Sequence, residues 1–137
     1  MIIKAIKPMF TAVVTTMDKY SADDFKGKLI TNLNEVKGAV KEYQTVVAIG
    51  TQVRDIAIGD IVKINPMRYA VRKYAEDSVK KDLLGQKIEG FNFPEVELNG
   101  IPHLYLQQND IEYVVTEWED EKLESPIIHP DKSIIIP

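Results

Sequence analysis

The densest apolar pattern lies in two β-branched runs, Glu42-Tyr-Gln-Thr-Val-Val-Ala-Ile-Gly50 and Ile56-Ala-Ile-Gly-Asp-Ile-Val-Lys-Ile64, joined by a short loop. Val62 and Ile64 fall on one face of a strand and Lys63 on the other. Thr45 to Ile49 is more uniformly apolar, as in a strand covered on both sides. Gly50 and Gly59 are expected where the chain reverses, because a residue without Cβ tolerates φ > 0. Asp60 is expected to bond nearby backbone amides and pin the turn. The pattern predicts the wall of a small closed β-barrel.

On either side the elements follow the same logic. Ile2 to Thr16 reads as an opening strand, with Pro8 marking an edge or a kink because it cannot donate to a ladder. Ser21-Ala-Asp-Asp24 offers a helix N-cap with an acidic residue three positions on, a variant of the capping box. Residues 19–41 form a long excursion after strand one, in which Leu29, Leu33 and Val36 keep helical spacing while Thr31, Asn32 and Asn34 weaken a helix. Asn65-Pro-Met-Arg68 predicts a turn and Tyr69 to Tyr74 a short strand. One short inserted helix is expected over about 75–84, with acid-first pairs Glu76–Lys80 and Asp77–Lys81 and Gly85 as C-cap. Gly90 to Pro94 reads as a loop carrying Phe91 and Phe93. Asn99-Gly100 between apolar runs predicts a hairpin with a type I′ turn. In its second strand Leu104 and Leu106 point one way, and His103 and Tyr105 the other. Asn109-Asp110 turns the chain into a last strand, Ile111 to Val115. The expected organisation is a barrel domain over 1–116 and a C-terminal arm or hairpin over 117–137.

Composition narrows the function. In a chain of 137 residues with net charge −4, no basic run stands out. Nucleic-acid binding leans on clustered Lys and Arg, so no nucleic acid is expected as partner; a polybasic membrane anchor is disfavoured too. The absence of cysteine excludes disulfides, thiolate metal sites and cysteine nucleophiles. No apolar run approaches the roughly 20 residues of a membrane helix, and Met1-Ile-Ile-Lys-Ala-Ile-Lys-Pro8 lacks the layout of a signal peptide. A cytoplasmic origin is expected.

Candidate chemistry is sparse. The two histidines, His103 and His129, read as surface or half-buried imidazoles, since a triad would need one of them beside a serine in space. Asp23-Asp24 and Glu117 to Glu121 lack calcium-loop spacing and read as solvated charge. No phosphate-binding glycine loop occurs. No catalytic, cofactor-binding or metal residue is assigned, and an enzyme is not expected. What needs a partner is apolar: Leu29, Ile30 and Leu33 in the excursion, and Ile127, Ile128, Ile134, Ile135 and Ile136 in the terminal arm. Either set packs on its own domain or anchors another protein.

Several ordered motifs carry a resemblance. Ile6-Lys7-Pro8-Met9 with Val13-Val14, Val46-Val-Ala-Ile-Gly50, Ile56-Ala-Ile-Gly-Asp-Ile-Val62, Tyr69-Ala-Val71 and Leu104-Tyr-Leu with Asp110-Ile111 resemble, in order, the motifs of the GroES family of co-chaperonins. The chain also looks like GroES-like proteins of tailed phages, including the crAss-like group. The resemblance implies a mainly β fold, a Greek-key barrel related to the oligonucleotide-binding type, with a loop after strand one that docks on a chaperonin ring. Leu29-Ile30 is the pair comparable to that loop's apolar tripeptide; the third apolar residue and the Gly/Ser-rich flanks are missing. The helix and the Ile-rich arm have no family counterpart. The function expected is therefore a non-enzymatic structural protein of a virion, an auxiliary or decoration capsid component clamping neighbouring subunits such as the major capsid protein. The alternative is a phage-type co-chaperonin capping a chaperonin ring. Self-association is left open.

Overall fold

The computed structural model describes residues 1–25, 38–74 and 86–120. Among these residues are eight strands: β1 Ala12–Thr16, β2 Tyr43–Ile49, β3 Ile61–Ile64, β4 Ala70–Tyr74, β5 Gln86–Phe91, β6 Glu95–Leu98, β7 Ile101–Gln107 and β8 Ile111–Val115. Helical structure among the described residues is confined to 3-10 turns at Ala22–Phe25, Pro66–Tyr69 and Gln108–Asp110. The chain is mainly β. The helix expected over 75–84 lies outside the described residues.

Six strands make one antiparallel sheet in the order β6-β7-β1-β2-β3-β8, and β4 and β5 pair separately. Position in the sheet explains the burial. β1 lies between β2 and β7, and Val13 and Val14 are both fully buried, so this strand is covered on its two faces. Opposed residues of an antiparallel ladder share a face. Val13 therefore lines up with Leu106, Thr15 with Leu104 and Val46, and Gln44 with Val62. These side chains, with Ile64, are the buried interior. Each large aliphatic among them contributes about 2 kcal/mol by leaving water. Gln44 is fully buried among them and accepts a hydrogen bond from the Thr16 hydroxyl at 2.9 Å, which offsets part of the cost of burying an amide.

The strand patterns read from Val62, Lys63, Ile64, Leu104 and Leu106 are those observed. The Asp60 carboxylate accepts the Ala57 N–H at 2.8 Å, as its place in the turn predicts. Asn99 and Gly100 both have positive φ, as a type I′ hairpin demands.

Three expectations change. Ile2 to Met9 is not strand; β1 begins only at Ala12. Pro8 lacks an N–H, and Phe10 sits at φ 57°, a left-handed kink that no strand accommodates. Gly50 is not at positive φ. Its need is space: a Cβ there would lie 2.2 Å from the Phe10 carbonyl oxygen. Residues 90–91 belong to β5 rather than to a loop.

The chain falls into two compact units, Met1–Met17 with Glu42–Val115, and Asp18–Lys41 with Thr116–Pro137. Among the described residues no helix is long and apolar enough to cross a membrane.

Candidate partner-binding site

The apolar anchors expected from the sequence, Leu29, Ile30 and Leu33 in the excursion and Ile127, Ile128, Ile134, Ile135 and Ile136 in the arm, lie outside the described residues, as does His129. The base of the excursion is described. Its two ends meet at an antiparallel bridge between Lys19 and Val40. The Tyr20 N–H donates to the Ala39 carbonyl, the Gly38 N–H to the Tyr20 carbonyl, and the Lys41 N–H to the Asp18 carbonyl.

Side chains reinforce this tie. Asp24 reaches back to accept the Ser21 N–H at 2.6 Å, the reciprocal half of the capping box. It also accepts from the Lys41 ammonium at 3.0 Å, and that ammonium lies 5.7 Å from the Tyr20 ring centroid. The Ser21 amide first, and then Lys41, hold the Asp24 carboxyl below its usual 3.8.

In the larger unit the main polar cluster forms around Asp110, which is 3% exposed. Its carboxylate accepts the Arg68 Nε–H at 2.9 Å, the Arg68 Nη2–H at 2.7 Å, the Tyr69 hydroxyl at 2.6 Å and the Gln107 N–H at 2.9 Å. Its own carbonyl accepts the Asn65 N–H. One aspartate thus fastens the Pro66–Tyr69 turn to the end of β7. Burial alone would raise its pKa, but the bonds from Arg68, Tyr69 and the Gln107 amide outweigh that and bring it below 3.8. Burial and the Asp110 charge push the Tyr69 phenol well above its usual 10.

Beside this knot lies a cleft of about 280 Å³ lined by Thr11, Asn65, Met67, Arg68, Gln107, Asn109 and Asp110. With its carboxylate already accepting from four donors, Asp110 has little left to offer as a base. The lining holds no serine, cysteine or histidine; its one aliphatic hydroxyl is that of Thr11, which donates to the Gln107 side-chain carbonyl at 2.9 Å. His103 is half-buried on β7, its Nδ1 2.8 Å from the Ile101 carbonyl oxygen. Among the described residues no cluster of His, Asp or Glu is placed to hold a metal ion.

Apolar surface is plentiful on the β4–β5 hairpin. Val71, Ile88 and Phe91 are 41%, 47% and 44% exposed, which is too much for residues of these types in a settled core. Phe91 stacks on Phe93 at 6.1 Å, and Phe93 meets Tyr69 at 5.5 Å with the planes tilted by 48°, so three aromatic rings run from the hairpin toward the Asp110 knot. Phe93 lies in the loop between β5 and β6, as the sequence predicts, whereas Phe91 closes β5 and the exposed hairpin is not anticipated. The signal was present in Gln86-Lys-Ile-Glu-Gly-Phe91, where polar and apolar positions alternate once the irregularity opposite Val71 and Arg72 is allowed for. Neither the protein-family models nor the curated proteins searched give a match to this chain.

Proposed function

We propose that the chain is a non-enzymatic assembly protein: a stiff β body that grips other protein subunits through exposed apolar surface. In its specific form it is an auxiliary or decoration protein of a tailed-phage capsid, made in the host cytoplasm and carried in the virion. The observation that carries this reading is the β4–β5 hairpin, a two-stranded sheet that is marginal by itself and yet holds Val71, Ile88 and Phe91 in water. A partner covering a few hundred Å² there would gain at about 25 cal/mol per Å², less the cost of immobilising it.

Closure of the six-stranded sheet into a GroES-like barrel belongs to the same proposal. Fully buried Val13, Val62, Leu104 and Leu106, with only 3-10 turns among the described residues to cover them, support a sheet that curls over its own inner face. The neighbouring of β1 with β7 and of β3 with β8 supports a Greek-key path.

Mass spectrometry of purified virions is expected to find the protein at a fixed ratio to the major capsid protein; its absence from mature particles overturns the capsid role. A second reading has its own observation. The tied base at Lys19 and Val40 brackets Leu29 and Ile30 as a docking loop would be bracketed, which supports a co-chaperonin capping a chaperonin ring. That reading expects nucleotide-dependent co-elution with a chaperonin, lost when Leu29 and Ile30 are both replaced by Asp; a wild-type chain that never co-elutes removes it.

A further inference from the structure

Three consecutive strands of the sheet place Tyr43 of β2 opposite Lys63 of β3, and Lys63 opposite Tyr113 of β8. Opposed residues share a face, so the two tyrosines flank one lysine in a single cross-strand row. Their strands are two spacings, roughly 10 Å, apart. Both side chains nevertheless lean over Lys63 and meet: the phenol oxygens are 2.6 Å apart and the ring centroids 6.3 Å, with the planes tilted by 57°. Lys63 is fixed beneath them by Glu42 at 3.0 Å and Glu112 at 3.5 Å. The rings stay half in water, with Tyr43 45% and Tyr113 49% exposed. Among the described residues this is the one pair of tyrosine rings in contact.

We propose that Tyr43 and Tyr113 form an oxidative modification site, pre-set to be joined as a dityrosine by a one-electron oxidant of the peroxidase–peroxide class. Each phenol gives up one electron and one proton to become a phenoxyl radical, whose unpaired spin spreads to the ring carbons ortho to oxygen. Oxygens in hydrogen-bond contact leave those carbons within a side-chain rotation of each other. The two ortho carbons form a C–C bond, and the ring hydrogens they carried move to the oxygens and restore both phenols. Two electrons and two protons leave in all, and one hydrogen peroxide takes them up as two waters. Exposure lets the oxidant reach both rings. Pre-formed contact makes coupling within the chain faster than coupling between chains, as holding two reactants together generally does.

The bond would tie β2 to β8 across β3 and close a span of 70 residues. Among the described residues β8 is an end strand of the sheet, paired with β3 alone. A covalent link removes disorder from the unfolded chain by closing so long a loop, and it holds an edge that would otherwise open first. The site shares no strand with the β4–β5 hairpin, so it holds or fails independently of the assembly reading.

The test treats dilute full-length protein with a haem peroxidase and hydrogen peroxide. Expected are the blue fluorescence of dityrosine, a chain that stays monomeric on a denaturing gel, a mass lower by two hydrogens, a peptide map joining the Tyr43 and Tyr113 fragments, and a raised unfolding temperature. Tyr43→Phe and Tyr113→Phe should each lose the intrachain fluorescence, the mass change, the joined peptide and the raised unfolding temperature, whereas Tyr105→Phe should keep them. No cross-link in the wild type, links between chains only, or a link that survives both Tyr43→Phe and Tyr113→Phe would overturn the proposal.

Discussion

Replacing Asp110 by Ala is expected to cost about 3 kcal/mol and to lower the unfolding temperature by roughly 10 °C. The carboxylate is 3% exposed and accepts from Arg68 twice, from the Tyr69 hydroxyl and from the Gln107 N–H. Removing it orphans several donors at once. Arg68, whose side chain is 55% exposed, recovers part of its loss from water. The phenol of Tyr69 and the amide of Gln107 recover less, and an unsatisfied buried donor costs about 1–3 kcal/mol. Asp110→Asn should lose a similar amount, because its new amide protons face the donors. Arg68→Lys should also destabilise, because an ammonium cannot make the two-pronged contact. Urea unfolding of the three variants measures this, and an Asp110→Ala protein within 0.5 kcal/mol of wild type would contradict the knot.

The pH dependence has a definite sign. The folded Asp110 titrates below 3.8, so its contribution is fully present above the unfolded value near 3.9 and is lost as pH falls through the folded one. Wild-type stability should therefore drop at acid pH more steeply than that of Asp110→Asn, so that the gap between them is widest and constant above about pH 5 and narrows as the pH falls. Tyr69 acts at the other end. Its folded phenol titrates above 10, first because it is buried and then because Asp110 faces it. Its contribution is intact below pH 10 and is lost as pH rises through the folded value.

Legibility in the sequence followed burial. Val62, Ile64, Leu104 and Leu106 alternate with polar neighbours and point into the interior, so period-two reading found β3 and β7. Asn99-Gly100 and Asp60 were legible because turn chemistry is local. The Asp110 knot was not. Its partners sit 42, 41 and 3 positions away, and Asp110 looks like any turn aspartate until the fold brings Arg68 and Tyr69 over it. The Tyr43–Tyr113 contact is hidden for the same reason: it spans 70 residues and crosses an intervening strand. β5 escaped because an irregularity in its pairing breaks the alternation on which strand reading depends. Of the candidate site, the Ser21–Asp24 cap was legible as a spacing. The Lys41–Asp24 pair, 17 positions apart, was not.

Gly50→Ala is the other substitution with a large expected effect, about 3 kcal/mol of destabilisation, because of what its added methyl meets. An ideal Cβ at residue 50 lies 2.2 Å from the Phe10 carbonyl oxygen and 2.9 Å from that of Met9, and both are backbone atoms that no rotamer change can move aside. The backbone there is also tied. The Gly50 N–H donates to the Ala12 carbonyl, the Gln52 N–H to the Phe10 carbonyl, and the Ala12 N–H to the Met9 carbonyl. Relieving the clash means pushing Met9 and Phe10 outward and stretching those bonds at the start of β1, the strand buried on both faces. Working against this is a gain of about 0.4–1 kcal/mol from a less flexible unfolded chain, since Gly50 needs no positive φ. Overpacking wins because the contact is far inside van der Waals separation. Gly90 supplies the comparison: it too lacks a positive φ, and a Cβ there meets nothing within 4 Å. Gly90→Ala should therefore match or slightly exceed wild-type stability while Gly50→Ala falls well below it. Thermal unfolding of the two variants side by side separates close approach from glycine flexibility, and equal stabilities would show that Phe10 does not press on residue 50.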